Sequence, residues 1–250
     1  NKIPVNMSYE LFLDQNGEKI SKSKGNGLSI DDWLKYGSIE SLALFMYQNP
    51  KRAKRLYFDC IPRSMDDYKK QFEKLDFSEF QNNVENPIWH IKEGALEKKI
   101  YPIEFSNLLN LVTALNTSNL STIRNFVKIY HKEKFSQEQE EELDIIIKLS
   151  ISYFQDFISP NLQKALPSNE EKIIIKKIIA DIKKQESELS AEEYQSLIYK
   201  HGKELYSDNL RDWFISLYRI LFGSENGPRL GSFFSAYKKS EVIDMLSKVT

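Results

Sequence analysis

Residues 19–27 read Lys-Ile-Ser-Lys-Ser-Lys-Gly-Asn-Gly. Lys19, Lys22 and Lys24 supply ammonium point charges, Ser21 and Ser23 supply hydroxyl donors, and Gly25 lets the backbone turn sharply. Asn26 or Ser29 can then start a helix. Mobile, cationic backbone ahead of a helix N-terminus is an arrangement that meets phosphate oxygens. The same residues also suit a solvated basic turn, and composition alone favours that plainer reading. A second basic group, Lys51, Arg52, Lys54 and Arg55, lies in "NPKRAKRLYF", where 51, 54 and 55 share a side at helical spacing. It fits phosphate contact and fits an exposed turn equally well. Other chemistries find no pattern to carry them. Cys60 is the single cysteine, and the surroundings of His90, His131 and His201 give no zinc spacing and no nucleophilic triad. No metal site is expected, and Cys60 reads as a small core residue rather than a nucleophile.

Caps and turns mark the elements that must hold these groups. Asn16-Gly17 within "YELFLDQNGEKI" is a hairpin signal. Ser29 with Asp32 forms a capping-box pattern, and Gly37 reads as a stop. A second helix starts at Ser38 and ends before Pro50. "RLYFDC" reads as a strand, and "RSMDDYKKQFEKL" as a helix starting at Ser64. The stretch to about residue 75 therefore reads β-α-α-β-α if the hairpin is counted as its opening strand. Beyond it the spacing predicts helices only, in "FSNLLNLVTALN", "SQEQEEELDIIIKLSISYFQDFI", "SNEEKIIIKKIIADIKKQ", "SAEEYQSLIYKHG" and "SDNLRDWFISLYRILFG". Ser168 with Glu171 and Ser190 with Glu193 repeat the capping pattern. The fold class expected is mainly α: a small β-α-α-β-α unit over 1–75, then an all-α bundle over 76–250.

The 250 residues carry 35 Lys and Arg against 36 Asp and Glu, a formal net charge of −1. No global basic field announces a nucleic-acid partner, although a local patch can still carry phosphate contacts. No apolar run approaches the ~20 residues of a membrane span. Membrane and DNA are not expected as partners, and one lone cysteine suits a reducing compartment. The start, "NKIPVNMSYE", has neither an initiating Met nor a signal-type apolar region, so the chain is expected to begin inside a longer gene product.

The order of residues in the lysine loop resembles the "KMSKS" signature of class I aminoacyl-tRNA synthetases, with Ile20 in place of Met. The resemblance to class I lysyl-tRNA synthetase extends through "PVNMSYELFLDQNGEKISKSKGN", "SLALFMYQNPKRAKRLYFDCIPRSMDDY" and "LYRILFGSENGPRLGSFFSAY". The two ends carry it, and residues 80–200 resemble the family only as helices of the right length. What it implies is a lysine–tRNA ligase that joins lysine to tRNA(Lys) at the expense of ATP, with Mg2+, in the cytoplasm. Lys22 and then Lys19 become the groups that steady charge on the departing pyrophosphate. Ser21 and Ser23 contact ATP phosphates or shape the loop, and Gly25 is a hinge. The segment to residue 75 becomes the end of the catalytic domain with a stem-contact unit, and the helices become an anticodon-binding region. Lys51, Arg52, Lys54 and Arg55 would then meet tRNA, and Arg219 and Arg229 are further RNA contacts. Trp213, Phe214, Tyr218 and Phe222 could stack on unpaired bases. Their helical recurrence, and that of Trp213 and Phe214 above all, reads as core.

The family's early "HIGH"-type motif has no counterpart around His90, His131 or His201, and no alternating strand–helix run is present. The chain is therefore expected to be a C-terminal portion, inactive alone, with ATP, Mg2+ and lysine held mainly by a missing N-terminal half. A related class I glutamyl-tRNA synthetase, a stand-alone tRNA-binding module and a helical interaction scaffold are the competing readings.

Overall fold

The computed structural model describes residues 6, 8–21, 23–95, 101–132, 135–207 and 209–250. Among them are twelve α-helices and one two-stranded parallel sheet, in agreement with a mainly α class. The chain divides into two compact units, 1–106 with 136–152, and 107–135 with 153–250.

The first unit opens on β1 (Phe12–Leu13), which pairs in parallel with β2 (Lys54–Arg55). Parallel neighbours need a crossover, supplied here by α1 (Ile30–Leu34) and α2 (Ile39–Tyr47). On its other side β1 meets the returning chain, with Ile20 N–H donating to Phe12 O at 3.0 Å and Asp14 N–H to Glu18 O at 2.8 Å. The expected hairpin at Asn16-Gly17 is present, with Gly17 at φ +79°. The capping box at Ser29 and Asp32 forms, and Ser38 caps α2. Gly37 does its work differently from the expectation. Its φ is ordinary, but an added Cβ would sit 2.7 Å from Ile61 Cγ2 and 2.9 Å from Trp33 Nε1, so close packing requires the glycine.

Two boundaries differ from the sequence reading. The strand expected over "RLYFDC" stops at Arg55, and α3 (Cys60–Phe72) starts four residues before Ser64. Pro62 explains both. Its fixed φ suits a first helical turn, where its missing N–H costs nothing. Cys60 and Ile61 accordingly donate back to Tyr57 O and Phe58 O, and Ser64 Oγ donates to Cys60 O inside the helix. The helix α4 (Pro87–Ile91) completes a core of Leu44, Tyr68, Phe72, Leu75 and Ile88.

The helix α5 (Phe105–Leu115) starts on Asp66, which accepts the Phe105 and Ser106 amides at 2.6 and 3.3 Å. It is followed by α6 (Leu120–His131) and α7 (Gln137–Tyr153). A wider π-helical turn, Phe154–Ile158, carries the chain on to Pro160. In the second unit the capping boxes at Ser168/Glu171 and Ser190/Glu193 start α8 (Asn169–Lys184) and α9 (Ala191–Tyr206) as the sequence indicates. Then come α10 (Leu210–Phe222), α11 (Leu230–Ser235) and α12 (Lys239–Ser247). Rings of Phe126, Phe222, Phe233 and Tyr237 meet at centroid distances of 5.2–5.4 Å. His201 lies between Asp181 (2.9 Å) and Glu204 (2.8 Å), a role in joining α8 to α9.

Trp213 is fully buried, donates Nε1–H to Ile198 O at 3.1 Å and lies over Gly202. Helix propensity alone favours alanine over glycine by about 0.5–1 kcal/mol. A Cβ at 202, however, would stand 2.2 Å from Trp213 Cδ1, and overpacking of this kind costs about 1–3 kcal/mol. Gly202→Ala should therefore lower unfolding free energy by about 1–2 kcal/mol, read by urea denaturation followed through tryptophan fluorescence.

Candidate functional site

The lysine loop is closed by a side-chain clasp that sequence reasoning did not pick out. Asp14 is 6% exposed. It accepts the Asn16 and Glu18 amides at 2.9 Å each, and Asn26 Nδ2–H at 2.7 Å. Asn26 in turn accepts the Ser21 amide at 3.0 Å and donates to Lys19 O at 3.4 Å. The hydrogen bond from Asn26 above all, then that from Glu18, holds the Asp14 carboxyl below the usual aspartate range. The signal was available: an Asp two residues before Asn-Gly is a side-chain-stabilised turn pattern.

Around the clasp the polar groups face outward. Lys19, Ser23 and Lys24 are exposed, and Ser21 Oγ lies 3.4 Å from Ser23 Oγ. Gly25 sits at φ +62° with open space about it, a backbone conformation that favours glycine. Lys24 pairs with Glu18 at 3.0 Å, both more than half exposed, a weak surface bond. Lys22 lies outside the described residues. The helix that follows does not offer the anion site the sequence suggested. It has five residues, and Asp32 already occupies its N-terminus by accepting the Ser29 amide and hydroxyl. What the described loop presents instead are side-chain ammonium and hydroxyl groups.

The second basic group is not helical. Lys51 and Arg52 are exposed on a turn, and Lys54 and Arg55 form β2. Lys54 reaches inward and donates to Phe45 O at 2.7 Å and Met46 O at 3.2 Å, closing the C-terminal end of α2. Burial pushes its ammonium group down in pKa. Arg52, Arg55 and Arg63 line one hollow of about 500 Å3 with Asp59 and Asp67. Arg63, one turn into α3, joins this group only because the chain folds back. Cys60 also lines the hollow, half-buried, its thiol pushed up to about 11 by burial. It is thus neither a full core residue nor an activated nucleophile.

In the second unit, Trp213 and Phe222 are core, as their spacing indicated. Phe214 is not. It is half-buried, packs edge-on against Tyr199 at 5.1 Å, and with Tyr199, Tyr218, Gln195 and Arg229 lines a hollow of about 450 Å3. Tyr218 is fixed by donating to Pro228 O at 3.0 Å. Gln195 accepts the Gly231 amide at 2.9 Å. Arg219 is half-exposed and paired with Glu225, outside this hollow.

Residues 1–95 match the family of class I (K) tRNA synthetases. This segment holds both the clasped lysine loop and the arginine hollow. The likeness then continues through the helical centre that motifs alone had left thin. The chain is 42% identical over 249 residues, 99% of its length, to the lysine–tRNA ligase of Rickettsia bellii (strain OSU 85-389), of which 48% is covered. It is 43% identical over 243 residues to that of Rickettsia africae (strain ESF-5), with 96% of this chain and 46% of the relative aligned. The lysine–tRNA ligase of Rickettsia felis is 42% identical over 247 residues, 98% of this chain and 47% of the relative. The chain thus spans about half the length of the curated relatives it matches. Among the described residues no helix is long and apolar enough to cross a membrane.

In this matched segment the clasp sets the resting shape of the loop. A hydrogen bond contributes about 1 kcal/mol net, so Asn26→Ala should raise hydrogen exchange at the Ser21 amide about fivefold while leaving the α3 amides unchanged. Because Asp14 is held low, its support is present at neutral pH and is lost as pH falls through and below the ordinary aspartate range. The same Ser21 amide should lose protection there.

Proposed function

We propose that the chain is the C-terminal portion of a class I lysine–tRNA ligase acting in the cytoplasm. The observation that carries this reading is the Lys-Ile-Ser-Lys-Ser loop, clasped by Asn26 with Lys19 exposed, inside a chain similar to lysine–tRNA ligases over nearly all its length. In the proposed reaction the lysine carboxylate attacks the α-phosphorus of ATP. The bond to the β-phosphate breaks, negative charge grows on the departing pyrophosphate, and lysyl-adenylate remains. The lysyl group then passes to the 3′ end of tRNA(Lys). Ammonium groups brought to the pyrophosphate oxygens as that charge develops lower the barrier more than they strengthen ground-state binding. Lys22 and Lys19 are assigned this task, with Ser21 and Ser23 as hydroxyl donors and Gly25 as the hinge. The resting bond from Lys24 to Glu18 is one the loop can give up on closing. Mg2+ accompanying ATP is assigned mainly to the portion of the enzyme outside this chain.

For tRNA, the first unit offers Lys51, Arg52, Arg55 and Arg63 to backbone phosphates, with Lys54 holding β2 against α2. The second unit offers the hollow of Tyr199, Phe214 and Tyr218 under Arg229, where an unpaired base can stack and a guanidinium can meet its edge or phosphate. Arg219 is a peripheral contact.

In the full-length enzyme, Lys22→Ala should slow ATP–pyrophosphate exchange about a hundredfold or more while lysine binding changes little. Exchange at the parent rate would remove the loop from the mechanism. For the chain itself, Arg52→Glu with Arg63→Glu should weaken tRNA(Lys) binding at low salt. It should also flatten the log–log salt dependence by about one unit for every phosphate that an arginine had neutralised. Filter binding or fluorescence anisotropy across a salt series checks this, and unchanged affinity would rule the arginine hollow out.

A further inference from the structure

The aromatic hollow of the second unit is built from two side-chain pairs, each one helical turn apart. Gln195 and Tyr199 share a face of α9, and Phe214 and Tyr218 share a face of α10. Arg229 and Leu230, at the start of α11, complete the lining. Phe214 stands 5.1 Å from Tyr199 and 6.4 Å from Tyr218 between ring centroids. Aromatic faces stack on any base, so they make no choice among bases. The choice falls to the polar groups.

Gln195 Oε1 accepts the Gly231 amide at 2.9 Å. A backbone N–H can only donate, so this bond fixes which end of the Gln195 amide is oxygen. Close packing keeps the bond in place: a Cβ at Gly231 would lie 2.2 Å from Ala191 O and 2.8 Å from Gln195 Cβ. The Nε2 end, with two N–H donors, makes no other hydrogen bond among the described residues. The Arg229 guanidinium is exposed and can only donate. Tyr218 is tied through its hydroxyl to Pro228 O, and the exposed Tyr199 hydroxyl can turn either way, so neither opposes these donors. Glutamine recognises adenine by using both ends of its amide, N–H to N7 and oxygen to the N6 amino group. Here the oxygen is committed to Gly231. The donors that remain suit a base with a carbonyl oxygen on its edge, and adenine is the one base that has none.

We propose that Gln195, oriented by the Gly231 amide, makes this hollow select an unpaired base that bears a ring carbonyl and disfavour adenine. The inference rests on the reading of the hollow as a base-stacking site. Labelled hexauridylate and hexaadenylate, bound to the 250-residue chain at low salt and followed by fluorescence anisotropy, test it. Uracil has two ring carbonyls and no amino group, and adenine has the reverse. The measured quantity is the uridylate-to-adenylate affinity ratio, compared between proteins so that each oligonucleotide's own stacking cancels. Gln195→Glu keeps an oxygen for Gly231 and turns the free end from donor to acceptor. It should lower the ratio about fivefold or more, the weight of one hydrogen bond lost. Gln195→Met, which removes the donor without adding charge, should also lower the ratio, and it serves if the first variant fails to fold. Ser196→Glu, exposed on the next position of α9, adds the same charge and should leave the ratio unchanged. Phe214→Ala should weaken both oligonucleotides about tenfold. If Phe214→Ala weakens both but neither Gln195 variant moves the ratio, the role of Gln195 is overturned and the stacking site stands. If Phe214→Ala weakens neither, both readings fall. A ratio lowered as much by Ser196→Glu as by Gln195→Glu would also overturn the proposal.

Discussion

One buried carboxylate sets the shape of the region where chemistry is assigned. Asp14 is the last residue of the short run that β1 begins, and it holds three things at once: the amides of the Asn16-Gly17 turn, the register of the returning chain, and Asn26 across the base of the lysine loop. Charged hydrogen bonds of this kind are worth more than neutral ones, roughly 1.5–3 kcal/mol each. A strand of two residues is too short to fix the loop by itself. The carboxylate does so, while among the loop's described cations Lys19 is exposed and Lys24 holds only a surface pair with Glu18.

The near-zero net charge conceals a division of labour. Several acidic groups serve the fold itself. Asp14 holds a turn, Asp32 and Glu171 close helix starts, Asp66 receives the first amides of α5, and Asp181 is held low by Lys184, Lys200 and His201. Basic groups are left at the surface of the first unit, on the loop and around the arginine hollow. Lys54 instead serves as a helix cap. Local potential, rather than total charge, decides whether phosphates are attracted, and at physiological salt that potential acts over about 8 Å.

Packing assigns the aromatic residues to two roles that look alike in one dimension. Trp213 and Phe214 are neighbours on α10, yet the first is sealed against Gly202 and the second opens onto a hollow with Tyr199 and Arg229. A helix turns about 100° per residue, so adjacent side chains diverge. Which of them meets a neighbouring helix depends on where α9 lies.

The sequence by itself determined the helix starts at Ser29, Ser38, Ser168 and Ser190, the hairpin at Asn16-Gly17, the mainly helical class and the signature loop. Each of these is written in residues a few positions apart, where backbone and side-chain hydrogen bonds act locally. It did not determine the early start of α3, which Pro62 sets, or the true reason for Gly37, which lies in Ile61 and Trp33. Nor did it determine the joining of Arg63 to Arg52 and Arg55, the aromatic hollow, or the clasp from Asp14 to Asn26. Those are contacts between residues distant along the chain. Only the tertiary structure chose among the partners that each side chain could have met, because burial and close packing are properties of the assembled core.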